Sequence, residues 1–169
     1  MRKAGVTAVS DVRSRPFSRM NPQFNKDELR SSLKEHSIEY VFLGKELGAR
    51  SDDPDMYESG QVKYDRLAQS ALFRSGIERV IGGTSRYTIA LMCAEKEPLE
   101  CHRTILVARE LERRGIEVQH ILSDGTMETH ADAIARLVAK LGISPEDMFR
   151  PSQEVVEEAY KKQGSLIEY

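Results

Sequence analysis

The chain has 169 residues, of which 40% are hydrophobic and 31% are charged, and its formal net charge is −2. This length suits one domain with a proper core, and interspersed charges of both signs are typical of a globular protein rather than a disordered or fibrous one. Because the net charge is close to zero, the whole chain gives no electrostatic case for binding nucleic acid or a membrane. Any anion-binding site must therefore be local.

The location of the protein is predicted from what the sequence lacks. No apolar run approaches the ~20 residues that cross a bilayer, and the charged start of the chain is not followed by the apolar stretch of a signal peptide. We therefore expect a cytoplasmic protein. Its two cysteines, Cys93 and Cys101, are too few for a disulfide framework, so we expect thiols that serve either chemistry or packing.

The first half of the chain predicts a strand, a loop, a helix and a second strand. The β-branched run 6–12 predicts the first strand, and a polar, proline-bearing loop follows it. Asn25 is expected to cap the helix, with Glu28 completing a capping box, and residues 40–43 form the second strand. The stretch 44–60 is rich in Gly, Asp and Ser and predicts a long loop that would suit a lid.

The second half predicts further alternation of helices and strands. The nearly continuous apolar run 88–94 is typical of a strand buried on both faces of a parallel sheet. Two C-terminal helices are expected on either side of Gly142 and Pro145. The complete set of predicted elements here is helices at 62–73, 77–81, 103–114, 131–141 and 152–162, and strands at 88–94 and 118–122.

This order of elements predicts the class of fold. Strands that alternate with helices imply right-handed crossover connections. We predict an α/β fold with an open, mostly parallel sheet, helices on both faces and additional C-terminal helices. A single domain would span residues 1–169, with a core over 1–122 and a helical extension over 123–169.

Residues that can carry chemistry follow two of the predicted strands. Asp11, Arg13 and Ser14 follow the first strand, and Cys93 and Glu95 follow the apolar strand. Ligands of open α/β sheets bind outside the carboxyl ends of the strands. We therefore expect the segments 11–14 and 93–103 to line one rim of the sheet.

Cys101 is the predicted reactive residue of the second segment. It lies at the predicted start of a helix, where free N–H groups and the helix dipole favour a thiolate, and His102 and Arg103 add positive character. Glu95 would act as a general base, or it would accept a hydrogen bond from a ribose hydroxyl of the ligand. The alternatives are that both cysteines simply pack, which suits Cys93 better, and that Glu95 is a solvated loop residue.

Metal and anion binding are the other chemistries to consider. The seven-residue gap between Cys93 and Cys101 matches no established zinc motif, so we predict no metal site. The alternative is a metal site that uses Cys93, Cys101, His102 or His120. Arg13 and Ser14 suit a phosphate or carboxylate, whereas the alternative is that Arg13 only neutralises Asp11. Two further histidines, His36 and His130, are expected on helix surfaces without a role.

Several motifs together resemble the domain-of-unknown-function 488 family over about residues 5–122. They are Asp11-Val12-Arg13-Ser14 followed by Pro16 and Ser18, Asn21-Pro22-Gln23-Phe24-Asn25, Leu43-Gly44, Met92-Cys93-Ala94-Glu95 with Pro98, Cys101-His102-Arg103, and His120-Ile121-Leu122. The resemblance implies an α/β fold and the same two motif clusters, but no substrate, cofactor or catalytic residue. Similar members begin with a further strand and helix, of which residues 1–5 resemble only the last turn.

Two classes of function follow from these observations. The first is an enzyme that acts on an anionic small molecule, such as a nucleotide or a phosphorylated metabolite, with Arg13 and Arg103 holding the anion and Cys101 or Glu95 doing the chemistry. The second is a non-catalytic module that senses a nucleotide, or docks nucleic acid or a partner, through the same arginine-lined rim. The sequence names no cofactor, and it leaves a homo-oligomer open.

Overall fold

The computed structural model describes residues 4–143 and 152–168, except for the side chain of Ser152. The predicted break at Pro145 and the first three residues of the N-terminal turn lie outside these ranges. The chain divides into two compact units, Met1–Ala94 and Glu95–Glu168. The single domain over residues 1–169 stays a prediction.

The first unit is built on a three-stranded parallel sheet. Strand β1 (Ala8–Asp11) is central and fully buried, and it pairs with β2 (Glu39–Phe42) on one side and β5 (Ile89–Met92) on the other. The register places Asp11 opposite both Phe42 and Met92, so the carboxyl ends of the three strands are level. The predicted α/β class with a parallel sheet is thus confirmed.

The burial of β5 differs from the expectation. All four of its residues are half-buried, whereas the apolar run predicted a strand covered on both faces. The reason is position, because among the described residues β5 pairs with β1 alone and lies at the edge of the three-stranded sheet. An apolar run therefore identified the strand without identifying its neighbours.

Helix α1 (Lys26–Glu35) connects β1 to β2 and buries Leu29 and Leu33. Asn25 occupies the N-cap position, but its side chain makes no cap hydrogen bond. Its Oδ1 atom instead accepts a 2.6 Å hydrogen bond from the backbone N–H of Ser18. The predicted capping box is therefore wrong, and Asn25 fixes the preceding loop instead.

The stretch 44–60, predicted as one long loop, contains regular structure. It begins with a short helix, α2 (Gly44–Leu47), and continues through a 3-10 turn (Pro54–Met56) into β3 (Tyr57–Glu58). Strand β4 (Gln61–Val62) then pairs with β3 in a small antiparallel hairpin. The loop prediction was wrong for α2, since Leu43 and Leu47 anchor that turn in the core.

The predicted helices 62–73 and 77–81 are divided differently in the structure. Helix α3 (Tyr64–Gln69) ends before Ser70, and α4 (Ala71–Thr84) runs on without a break. Ser70 has extended backbone angles, and its Oγ accepts a 3.1 Å hydrogen bond from the N–H of Phe73. A serine with this cap geometry ends one helix and starts the next.

The second unit is mainly helical. A π-helical segment (Arg103–Ala108) continues directly into α5 (Arg109–Arg113), and Gly115, with φ of +77°, follows the helix end as predicted. Strand β6 (Gln119–Ile121) pairs antiparallel with β7 (Met127–Thr129) and not within a parallel sheet, which corrects the expected alternation. Two C-terminal helices, α6 (His130–Lys140) and α7 (Ser152–Ile167), complete the unit.

The interior of the second unit is formed by apolar residues from these helices. The buried set includes Leu99, Ile105, Val107, Leu111, Ala133, Leu137 and Ala159.

Within the ranges that the structure describes, no helix combines the length and apolar character of a membrane span.

Candidate functional site

The carboxyl end of β1 carries a buried ion pair. Asp11 is completely buried, and its carboxylate accepts hydrogen bonds from Arg13 at both oxygens, from Nε at 2.8 Å and from Nη2 at 2.6 Å. The backbone N–H of Arg13 donates at 3.1 Å and the hydroxyl of Tyr40 at 2.7 Å. A buried carboxylate is tolerated because these donors and the guanidinium charge replace the lost water.

The same contacts set the protonation of the network. The hydrogen bonds to Asp11 raise the pKa of the Arg13 guanidinium, which therefore stays charged. Burial raises the pKa of Tyr40, and its hydrogen bond to Asp11 raises it further. Tyr40 is therefore a neutral phenol whose hydroxyl donates a hydrogen bond to Asp11. The sequence analysis did not identify Tyr40. In β2 its side chain is buried, whereas those of its neighbours Glu39 and Val41 are exposed.

Arg13 and Ser14 also organise the backbone around them. Nη2 of Arg13 donates a further 2.8 Å hydrogen bond to the carbonyl of Phe24, which holds the loop after β1. Ser14 Oγ accepts a 3.1 Å hydrogen bond from the N–H of Arg50. Much of the hydrogen-bonding capacity of the segment 11–14 is thus used within the first unit.

Cys93 directly follows β5 in the first unit and is half-buried. The N–H of Val12 donates to the carbonyl of Met92 at 3.0 Å, which aligns the chain after β1 with the chain after β5. The hydrogen bonds and charge of Asp11 raise the pKa of Arg13 against the opposing effect of burial, and Tyr40 and then Cys93 add smaller electrostatic effects in the raising direction. Cys93 therefore lies at the edge of the sheet where the segment 11–14 begins.

The second unit begins with the loop that carries the predicted reactive thiol, here called the thiol loop (residues 95–103). Pro98–Glu100 forms a 3-10 turn whose N-cap, Glu97, accepts a hydrogen bond from the N–H of Leu99. The carbonyl of Cys101 accepts from the N–H groups of Thr104 and Ile105 at 3.0 and 3.3 Å. Cys101 therefore lies where the turn passes into the helix, as the sequence predicts.

The thiol of Cys101 is completely buried and meets three polar groups of the thiol loop. Its Sγ atom donates to Oε2 of Glu95 at 3.2 Å, and it accepts from the backbone N–H of Arg103 at 3.4 Å. Nδ1 of His102, a residue that is 3% exposed, lies 4.0 Å from the same sulfur. The thiol thus has both a proton acceptor and an N–H donor within reach.

Arg103 fixes the other side of the thiol loop. Its Nη1 atom donates to the backbone carbonyl of Glu95 at 2.8 Å, and Nη2 lies 3.5 Å from the carbonyl of Lys96. The guanidinium thereby holds the main chain at Glu95 and Lys96. The carboxylate of Glu95 reaches the thiol through Oε2.

Three side chains of the thiol loop could share a metal ion. One ligand atom from each of Glu95, Cys101 and His102 lies within 4.8 Å of the other two. Sulfur, imidazole nitrogen and carboxylate oxygen are all ligands of zinc. The absence of a metal site was predicted from the spacing of the two cysteines, and it stays a prediction; Glu95 and His102 lie close to Cys101 along the chain.

A second polar group of the same unit was missed entirely. His130, expected on a helix surface, is only 5% exposed, and its Nδ1 lies 3.0 Å from Nε2 of the buried His120. Its Nε2 lies 2.7 Å from the hydroxyl of Tyr160, whose ring is covered by the guanidinium of Arg109. The signal available in the sequence is that His130 follows the apolar period of α6, together with Ala133, Ile134 and Leu137. His36, by contrast, is exposed as expected.

Comparison with protein families identifies the group to which this α/β chain with its two motif segments belongs. Residues 1–109 match the family described as Domain of unknown function DUF488, so the chain belongs to this family. The match covers the segment 11–14 and the whole thiol loop. No curated protein and no solved structure gave a match.

Proposed function

We propose that the protein is an enzyme that acts on an anionic small molecule, a nucleotide or a phosphorylated metabolite, with Cys101 as the nucleophile and Glu95 as its base. The observation that carries the proposal is the 3.2 Å hydrogen bond from Cys101 Sγ to Glu95 Oε2. A nucleophile and a base within hydrogen-bond reach are the arrangement that nucleophilic catalysis requires. Glu95 would take the thiol proton as the sulfur forms a bond to the substrate, and it would return this proton to the group whose bond to the substrate breaks.

In this proposal Arg103 has two tasks. Its hydrogen bond to the Glu95 carbonyl holds the base in place, and its guanidinium charge attracts the anion to the thiol loop. The backbone N–H of Arg103 points at the sulfur and would stabilise negative charge that develops there. His102, buried next to Cys101, would help to orient the reacting group.

The role of the segment 11–14 in anion binding also stays a proposal. Because Asp11 engages two nitrogen atoms of Arg13, binding would rely on the rest of the guanidinium and on Ser14. Measurements of Kd for Arg13→Lys, Arg103→Lys and the double variant would test whether both arginines bind one ligand. Residues that share a ligand give non-additive changes in binding free energy, whereas independent residues give additive ones.

The experiment that tests the proposal begins with a thermal-shift screen of nucleotides and phosphorylated metabolites. A ligand at roughly 100 times its Kd stabilises a protein by ~2.7 kcal/mol, which raises the Tm of a chain of this size by ~5–10 °C. Conversion of each hit is then followed by chromatography. We expect Cys101→Ser to bind the hit but to lose turnover, and Glu95→Gln to lower kcat by about 100-fold. Glu100→Gln, on the exposed side of the same loop, is the matched control and should leave turnover unchanged.

A non-catalytic docking module is the second candidate, and one feature of the first unit favours it. The loop after β1 exposes Phe17 (68%) and Met20 (90%), with Arg15 and Arg19 also exposed beside them. Exposed aromatic and basic side chains together suit nucleic acid or a protein partner. Tight binding of a hit with no turnover in the wild-type protein would favour this second candidate and contradict the first.

A further inference from the structure

The thiol loop presents three ligand types around one buried sulfur. Cys101 is 0% exposed and His102 is 3% exposed, so both would bind a ligand away from competing water. Glu95 is half-buried and supplies the third group. Cysteine, histidine and glutamate in one cluster select a thiophilic divalent cation of the zinc class over magnesium or calcium, which prefer oxygen ligands.

The distances suit such an ion. Two ligand atoms of a tetrahedral zinc ion, one sulfur at ~2.3 Å and one nitrogen or oxygen at ~2.05 Å, lie about 3.5 Å apart. The observed distances from Cys101 Sγ are 3.2 Å to Glu95 Oε2 and 4.0 Å to His102 Nδ1, one on each side of that value. Side-chain rotations that move each ligand atom by less than about one ångström would therefore bring both distances to the value expected for zinc ligands.

The charges and outer contacts of the cluster also match a divalent cation. A thiolate and a carboxylate together carry two negative charges, which the ion neutralises. The backbone N–H of Arg103 already donates to the sulfur at 3.4 Å, and the guanidinium of Arg103 holds the main chain of Glu95. Outer hydrogen bonds of this kind orient metal ligands.

We propose that Glu95, Cys101 and His102 form a binding site for a zinc-class divalent cation, and that the cation and the nucleophilic role of Cys101 exclude each other. Binding forms a bond between the metal and Cys101 Sγ and releases the thiol proton to solvent, so no oxidant or reductant is needed. The inference concerns the site of the proposed enzyme, whose chemistry the cation would inhibit. Its test needs no substrate.

The test is a titration of reduced, tag-free protein with Co²⁺, followed by competition with Zn²⁺. We expect a thiolate-to-cobalt charge-transfer absorption that saturates at one ion per chain, releases protons and disappears when Zn²⁺ is added. Saturating Zn²⁺ should also slow alkylation of Cys101 by at least about tenfold, and a chelator should restore the rate. Absence of the charge-transfer absorption in the wild-type protein overturns the proposal, whatever the variants show.

Variants assign the ligands. Cys101→Ser should lose the absorption, and Glu95→Gln and His102→Gln should each weaken Co²⁺ binding by at least about tenfold. Matched controls are Glu100→Gln in the same loop and His36→Gln on an exposed surface, both of which should bind as the wild type does. An unchanged absorption in Cys101→Ser, with the fold verified by circular dichroism, overturns the proposal.

The two proposals fail separately. Turnover of a substrate that depends on Cys101, without any metal absorption, would retain the enzyme and reject the cation. A Cys101-dependent metal absorption without any turnover would do the reverse.

Discussion

Asp11 shows how one residue organises the end of β1. Its carboxylate is completely buried and accepts four hydrogen bonds, three from Arg13 and one from Tyr40. Removing one partner of such a pair costs more than the pair contributes, because the remaining charge stays buried without compensation. Asp11 and Arg13 therefore depend on each other.

Replacement of Asp11 by Asn tests this dependence. We expect Asp11→Asn to lower the free energy of unfolding by about 3–5 kcal/mol, because the Arg13 guanidinium keeps its charge and loses its partner. Urea unfolding followed by circular dichroism measures the change. Asp52→Asn, in an exposed loop, is the control and should stay within about 0.5 kcal/mol of the wild type. A small effect of Asp11→Asn would show that Arg13 can turn to solvent.

The sequence could predict part of this arrangement. An aspartate followed two positions later by an arginine already predicts either neutralisation or an anion site, and the structure shows the ion pair. Tyr40 could not be assigned, because 29 positions separate it from Asp11 and only the pairing of β1 with β2 brings them together. The hydrogen bond between Cys101 and Glu95 could not be predicted either, because it depends on how the turn of the thiol loop folds back.

At the scale of elements, the position of α2 depends on a glycine at its start. A Cβ atom on Gly44 would lie 2.1 Å from the backbone carbonyl oxygen of Arg13 and 2.5 Å from the ring of Phe42. Backbone cannot move aside as a flexible side chain can. Only glycine therefore lets α2 approach the chain after β1 so closely.

We expect Gly44→Ala to lower the free energy of unfolding by about 1–3 kcal/mol through this overpacking. Gly82→Ala is the matched control, since a Cβ atom there would meet nothing within 4 Å inside helix α4. The control should stabilise the protein by about 0.5–1 kcal/mol, because alanine is the better helix former. Equal stabilisation by both variants would contradict the close approach seen at Gly44.

Three elements of the second unit meet at a buried chain of His120 in β6, His130 in α6 and Tyr160 in α7. Burial raises the pKa of Tyr160 to about 12, so its hydroxyl can donate to His130. Nδ1 of His130 is in turn hydrogen-bonded to Nε2 of His120 at 3.0 Å. Burial lowers the pKa of His130, and burial together with the charges of His130 and Arg103 lowers the pKa of His120 to about 4. Both imidazoles are therefore neutral near pH 7.

This chain predicts how stability depends on pH. Between the ordinary histidine pKa of about 6.5 and the folded value of about 4, the unfolded chain binds a proton that the folded chain excludes. Stability is therefore fully present above pH 6.5 and falls as the pH is lowered through this window. His120 should contribute a loss on the order of 2 kcal/mol by pH 4.

Urea unfolding between pH 7 and pH 4 measures this slope. His120→Gln should have a shallower slope than the wild type over the same window, whereas His36→Gln, in which an exposed histidine is replaced, should keep the wild-type slope. Parallel curves for the wild type and His120→Gln would show that the buried histidine does not govern the loss.

The outlines of the elements were easier to predict than their ends and partners. Apolar periodicity located α1 and α6 within a few residues, because each helix has one clear buried face. The β-branched run located β1, which is buried along its whole length. The boundary between α3 and α4 at Ser70 was not predicted, because a serine also occurs within helices and does not by itself mark a helix start. Strand β6 was found, but its antiparallel partner lies in a short stretch with no apolar pattern of its own.

At the scale of the whole molecule, alternation of elements was enough to predict the α/β class. It did not predict the division into two compact units at residues 94 and 95, because that division depends on contacts within each unit, which the order of elements does not reveal. The family match ends at residue 109, inside the second unit. Later residues nonetheless support the thiol loop, since buried Gln163 in α7 donates to the carbonyl of Leu99 at 2.8 Å.

The sign of one rate change tests whether Glu95 is the base for Cys101. A carboxylate that only lies beside a thiol disfavours the thiolate, so its removal would speed alkylation. A carboxylate that takes the proton has the opposite effect. The measurement is the alkylation rate of each cysteine by iodoacetamide at pH 7 with a chelator present, followed by peptide mass spectrometry.

We predict that Cys101 of the wild-type protein reacts faster than Cys93, although Cys93 is the more exposed thiol. Glu95→Gln should slow Cys101 by about tenfold or more while Cys93 and the Glu100→Gln control keep their rates. Faster alkylation of Cys101 in Glu95→Gln, or an unchanged rate, would contradict the account.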